Sequence, residues 1–326
     1  MDKKHEPNIH LVDSVDFKGY KVRAVYCTVH TRPLTETFHE FIIGLLCTGF
    51  GDRFNDEQIK LPEDKQHVLM KWHREFVKLI RANAKPENKI EGTDHWETRP
   101  NGYVQALLSF AYDYYIAKCL NQVSESLMKR LKNYDQFQGA RYELGVIATV
   151  ARAGFDIALL DDKEKTEKHC EFIGTHKSTG IQVAFEAKSR HRKGVLHQPG
   201  DFDLDSDYKA DIVNLIFKAC KQKTKDLPFV IFVDLNLPFK AKDKWFQDVI
   251  ERFNKLDGPT NEKPDKFNYV FLTNFSYFYD GEFDTNPKGE FNTIISLKPE
   301  TKLTTDKVLK DITESLHRYS HVPMEV

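Results

Sequence analysis

The chain has 326 residues, 40% hydrophobic and 30% charged, with a formal net charge of -1. That is enough apolar material for a substantial core in one large domain or two ordinary ones. It excludes a basic nucleic-acid coat, so any nucleic-acid contact must use local patches.

No run of 18 apolar residues occurs, which excludes a transmembrane helix of the usual kind. The opening "MDKKHEPNIH" has no apolar stretch, so no secretory signal is expected there. Five cysteines, Cys27, Cys47, Cys119, Cys170 and Cys220, lie far apart without a CxxC pair. That spacing argues against a zinc knuckle and a disulfide framework, and a cytoplasmic location is expected.

In chain order, residues 61–85 open with Pro62 and repeat Val68, Leu69, Trp72, Phe76, Val77 and Ile80 at helical spacing, which predicts an amphipathic helix. Residues 91–103 are dense in Gly, Asp, Asn and Pro and predict a loop. A long helix is expected over about 103–132. A second is expected over about 137–153, closed by Gly154.

The period then changes. Residues 155–160, 169–175 and 181–188 predict three short strands in a meander. Residues 206–222 predict a helix and 228–235 a buried strand. Further on, a helix is expected over 242–256, strands over 268–279 and 291–297, and a last helix over 305–319, with the strands extending the same sheet. The organisation read from this is α/β: a mostly helical N-terminal region over 1–130, a core over 131–240 and an α/β extension over 241–326.

The third strand, "IQVAFEAKSR", carries the chemistry. Ile181, Val183, Phe185 and Ala187 alternate with Gln182, Ala184, Glu186 and Lys188. The first side reads as core. The second reads either as a solvent-facing surface or as a site holding a carboxylate and an ammonium two positions apart. Two further acids bear on the choice. Glu143 lies on a helical stripe with Val146, Ile147 and Val150, where an unpaired carboxylate would be costly. Glu171 lies on the second strand, between Cys170 and Phe172.

These residues, in "RYELG", "HCEFIG" and "FEAKSR", resemble the signature of the PD-(D/E)xK nuclease superfamily: a helix glutamate, an acid on the second strand, and (D/E)-x-K on the third. The resemblance covers about 137–235. It implies a restriction endonuclease-like core of helix, three-strand meander, helix and strand. It also implies phosphodiester hydrolysis with Mg²⁺ or Mn²⁺, with Glu143, Glu171, Glu186 and Lys188 catalytic. Glu171, Glu186 and the Ala187 carbonyl would be the metal ligands. The second-strand acid of the family is usually aspartate, so Asp156 on the first strand is the alternative to Glu171.

The expected partner is nucleic acid, DNA above all, with no membrane. "KSRHRK" offers Arg190, Arg192 and Lys193 to it, and the next helix offers Lys218. An endodeoxyribonuclease of restriction or anti-phage defence is the function expected. A homo-oligomer, or a second subunit supplying ATPase activity or target recognition, would fit, since no Walker motif or helix-turn-helix is seen. The alternative is a nuclease-fold module without activity, serving nucleic-acid binding or assembly. An α/β interaction protein with no nucleic-acid role is a third reading, resting only on the near-zero net charge.

Other features read as structural. "DFDLDSD" (201–207) fails the calcium-loop pattern at Tyr208 and Asn214. His191 and His197 read as surface histidines, and the aromatic run 274–280 as core rather than a base-stacking platform.

Overall fold

The computed structural model describes residues 13–92, 95–160, 170–191, 194, 212–222, 227–236, 267–275, 279, 281, 291–295 and 306–324. Two sheets organise them. Strands β1 (Val15–Phe17), β2 (Tyr20–Val25) and β3 (Thr28–Pro33) form a small antiparallel sheet at the N-terminal end. This sheet stands in the region read from sequence as mostly helical. Its buried face mixes a charged with an apolar residue, so no clean alternation marks it. The face carrying Arg23 and Val25 is buried, whereas Val15, Phe17, Tyr20 and Val29 on the other face are exposed. Arg23 lies over the rings of Phe38 and Phe41, a cation–π contact that makes a buried guanidinium tolerable.

Helices α1 (Phe38–Phe50), α2 (Asp52–Ile59), α3 (Val68–Asn83) and α4 (Gly102–Cys119) follow. Thr37 and Glu40 close a reciprocal capping box at the start of α1. The single helix expected over 103–132 is two. Asn121 adopts φ 56°, and the Ser124 hydroxyl then accepts from the Leu127 amide, starting α5 (Glu125–Lys132). That break turns α5 back against α6 (Phe137–Arg152). Gly154, at φ 87°, ends α6 as expected.

Strands β4 (Phe155–Leu159), β5 (Phe172–His176) and β6 (Gln182–Ser189) form the antiparallel meander. Helix α7 (Ile212–Cys220) then carries the chain to β7 (Phe229–Asp234), which pairs with β6 in parallel. Strand β8 (Tyr269–Thr273) pairs with β7 in parallel and β9 (Phe291–Ile295) with β8 in antiparallel. The result is one six-stranded sheet in the order β4-β5-β6-β7-β8-β9, so the C-terminal strands do extend the core sheet. Helix α8 (Asp306–His317) closes the chain against α6. The helix expected over 242–256, the loop 201–207 and His197 lie outside the described residues.

Both faces of the sheet are covered. Phe185, Phe232 and Phe271 belong to the core shared with α4, α6 and α8, while Ala184, Ile231, Val233 and Leu272 pack with Ile212 and Ile216 of α7. This is the burial expected of parallel strands with helices on both sides. Gly174 is required by the meander's packing: a Cβ there would stand 2.8 Å from the Phe185 ring and 3.0 Å from that of Phe155. Of the aromatic run after β8, the described Phe275 and Tyr279 are buried. Phe275 stacks on Tyr319 and Tyr279 packs on Trp72.

Candidate active site

The strand β6 is not a solvent-facing edge. Positions 183–187 are all buried, and Glu186 is 0% exposed. A carboxylate in such a place must be compensated, and it is. Its Oε2 accepts from the Glu171 amide at 3.1 Å, and its Oε1 accepts from the Lys188 ammonium. The Lys188 Nζ also stands 4.0 Å from Glu171 Oε1. One ammonium therefore stands between the Glu186 carboxylate of β6 and that of Glu171, which precedes β5 by one residue instead of lying on it as read. Period-two alternation brings Glu186 and Lys188 to the same side of β6, and Glu171 meets Glu186 because it lies one residue before the register pair Phe172–Phe185.

Glu143 reaches the cluster from α6. It is buried and clamped bidentately by Arg130 of α5, at 2.6 and 2.8 Å. Arg130 was not anticipated. Its partner lies on another helix, and the break at Asn121–Ser124 that aims it was read as continuous helix. Three carboxylates thus share the cluster with two cations. Burial pushes the Glu171 carboxyl up to about 8, and the neighbouring Glu143 and Glu186 push it the same way against Lys188 and Arg130. Burial likewise raises Glu186, with Lys188 opposing.

Asp156 does not belong here. It is exposed at the far end of β4, in register with Thr175, and pairs with Lys177 at 3.2 Å. Ala187 is buried between Glu186 and Lys188, in register with Phe232. Arg190 follows β6, and its backbone is held tightly. Its amide donates to the Asp234 carbonyl, and its own carbonyl accepts from the side chains of Gln138 and Asn236. Gln138 of α6, a residue the sequence did not single out, therefore ties the end of β6 to the helix that carries Glu143. His191 is exposed, as read from the sequence, and partial desolvation lowers its imidazole. Lys218 is exposed on α7. Arg192 and Lys193 lie outside the described residues.

The donor set fits a hard divalent ion. The Glu171 and Glu186 carboxylates both lie within reach of the Lys188 ammonium, so they face one position. Among the described residues no three His, Cys, Asp or Glu side chains surround one ion position. A bound Mg²⁺ would complete its shell from backbone, solvent or substrate oxygens, as that ion commonly does.

Comparison with known proteins finds no matching family model, no curated relative and no similar solved structure.

The raised Glu171 carboxyl has a consequence for stability. The folded state holds this proton more tightly than the unfolded chain, whose glutamates titrate near 4.5. The favourable contribution is therefore complete below that value and is lost as the pH rises through about 8. Replacing Glu171 with Gln should flatten this dependence and stabilise the protein at pH 9 by about 2 kcal/mol, after allowance for solvent screening. Thermal melts of both proteins between pH 5 and 9 measure it. A Glu171→Gln protein that tracks the wild type at every pH would contradict the buried, charge-crowded environment.

Proposed function

We propose that the chain is a metal-dependent nuclease of the restriction endonuclease-like class, hydrolysing phosphodiester bonds at the Glu171–Glu186–Lys188 cluster. The observation that carries the reading is the fully buried Glu186, bonded to the Glu171 amide and to Lys188. Strand burial of this kind is hard to explain by packing alone, since a buried ion pair is weak evidence of stabilisation. The order of helix, antiparallel meander, helix and parallel strand adds support.

Glu171 and Glu186 would hold Mg²⁺ or Mn²⁺, with the Ala187 carbonyl as a further donor. When bound, such an ion supplies Lewis acidity toward a phosphoryl oxygen and acidifies water. The protein's own groups do the rest. Lys188, held by Glu186, places a positive charge where negative charge gathers on the reacting phosphate. Glu171, whose proton is held tightly without the ion, would release it as the ion binds. Arg130 fixes Glu143 and so sets the third carboxylate's distance from the other two.

DNA is the proposed substrate, in a restriction or anti-phage setting. A second reading has an observation in its favour. Lys188 already neutralises Glu186, and Arg130 already neutralises Glu143. Such self-compensation would also suit an inactive nuclease-fold module that binds nucleic acid or assembles with partners. Titrating Mg²⁺ or Mn²⁺ into the protein with plasmid, linear duplex and single-stranded substrates separates the two. Cleavage that appears with the ion and vanishes with chelator is expected. Binding without cleavage on all three substrates would favour the module.

A further inference from the structure

The exposed side of α3 is basic. Between residues 68 and 85 stand Lys71, Arg74, Lys78, Arg81 and Lys85, against a single acid, Glu75, in a chain of 48 basic and 49 acidic residues in all. Their spacing of three and four residues places the four helical cations on one face. From Lys71 to Arg81 that face runs about 15 Å at the helical rise. The opposite face is occupied: Leu69 and Trp72 are buried against α4 and its neighbours.

Most helices that carry this much positive charge offset it with acids on the same face. Here the offset is slight. Lys78 pairs with Glu75 at 2.8 Å, and Arg74 stands 3.8 Å from Glu63. Lys71 lies over the Tyr103 ring and donates to its hydroxyl. Arg81 and Lys85 are exposed and meet no acidic side chain among the described residues.

The helix is also mechanically joined to the active site. The Trp72 ring packs on Phe137 at 5.9 Å. The next residue, Gln138, donates to the carbonyl of Arg190, two positions beyond Lys188. The basic face and the carboxylate cluster are thus built on one packed unit.

We propose that the Lys71–Lys85 face of α3 is a nucleic-acid backbone-binding surface, contacting successive phosphates without reading bases. A line of cations suits a polyanion whose charges recur along a strand. An anionic lipid surface is the weaker fit, because Leu69 and Trp72 of the apolar face are buried in the core and Ile80 alone of that face is exposed, too little to insert. The choice of ligand rests on the phosphodiester reading of the neighbouring cluster.

The test is fluorescence anisotropy of labelled duplex and single-stranded oligonucleotides in chelator, where no cleavage occurs, at several salt concentrations. Wild type is compared with Lys78→Gln/Arg81→Gln/Lys85→Gln, all exposed positions, and with the double variant Arg81→Gln/Lys85→Gln should the triple fail to fold. Each lost phosphate contact should flatten the log–log salt dependence by about 0.9, so the triple variant should lose about 2 to 3 in slope and at least about tenfold in affinity at moderate salt. Unchanged affinity and slope overturn the proposal. So does a wild type that ignores oligonucleotides and binds phosphatidylserine vesicles instead. A Lys188→Ala protein that still cleaves would reject the site assignment and leave this binding result standing.

Discussion

A Lys188→Ala protein should cleave nucleic acid about a hundred- to a thousandfold more slowly, because charge stabilisation in such a displacement is worth a few kcal/mol. Lys188 is partly exposed at the end of β6, so its truncation removes little packing, but it takes the counter-charge from the buried Glu186 and should lower stability, so the rate is read on protein that circular dichroism shows to be folded. Glu186 differs. Its place on the second side of the strand suggested that truncation would spare the core, yet it is fully buried and satisfies the Glu171 amide. Glu186→Ala would leave a void and an unpaired N–H, so Glu186→Gln is the cleaner variant.

The two replacements should diverge in ion binding. Glu186→Gln weakens Mg²⁺ or Mn²⁺ uptake by removing a ligand charge. Lys188→Ala leaves it equal or stronger, since a cation competing for the same carboxylates is gone. Calorimetry with the divalent ion, cleavage assays and circular dichroism on the three proteins provide the readout. Wild-type cleavage by Lys188→Ala would end the nuclease assignment of this cluster.

The largest stability effect is expected between α4 and α6. Asp113 of α4 is 2% exposed and lies between two guanidiniums, 3.0 Å from Arg141 and 3.1 Å from Arg152, both on α6. Arg141 also donates to the Tyr319 hydroxyl. Gly145 leaves the room, since a Cβ there would stand 3.0 Å from the Arg141 guanidinium and 3.4 Å from the Asp113 carboxylate. Asp113→Ala would strand two buried cations without a counter-charge, a change that typically costs about 3 to 5 kcal/mol. Denaturant unfolding should show the loss in full. Asp113→Asn, which retains hydrogen-bonding oxygen but no charge, should fall between the two. An Asp113→Ala protein within 1 kcal/mol of wild type would mean that the guanidiniums find water or other partners.

The central elements were legible because their signals are local. The switch from helical to period-two spacing at Gly154 marked the meander, and the Glu186–Lys188 pair is a two-residue pattern on one strand. Glu171 could be found but not fixed, since its match to Glu186 depends on the β5–β6 register; the structure sets it beside Glu186 and leaves Asp156 at the other end of β4. Long-range pairs left no trace. Nothing in the neighbourhood of Arg130 points to Glu143, nor anything near Asp113 to Arg141 and Arg152. The β1–β3 sheet was missed for another reason: it buries Arg23 beside Val25 and leaves Val15, Phe17, Tyr20 and Val29 exposed, so no continuous apolar face marks it.

Strand β7 is buried at all six positions and hydrogen-bonded along both edges, to β6 and to β8. No small opening frees its amides, so their protons exchange with solvent only when the whole molecule unfolds. Glu186 and Lys188 sit in register with Ile231 and Val233 of that strand. The Glu186 carboxylate and the Lys188 ammonium are therefore anchored beside a strand whose amides should be among the last to exchange, while β1, exposed along its length, can fray and re-form without disturbing them.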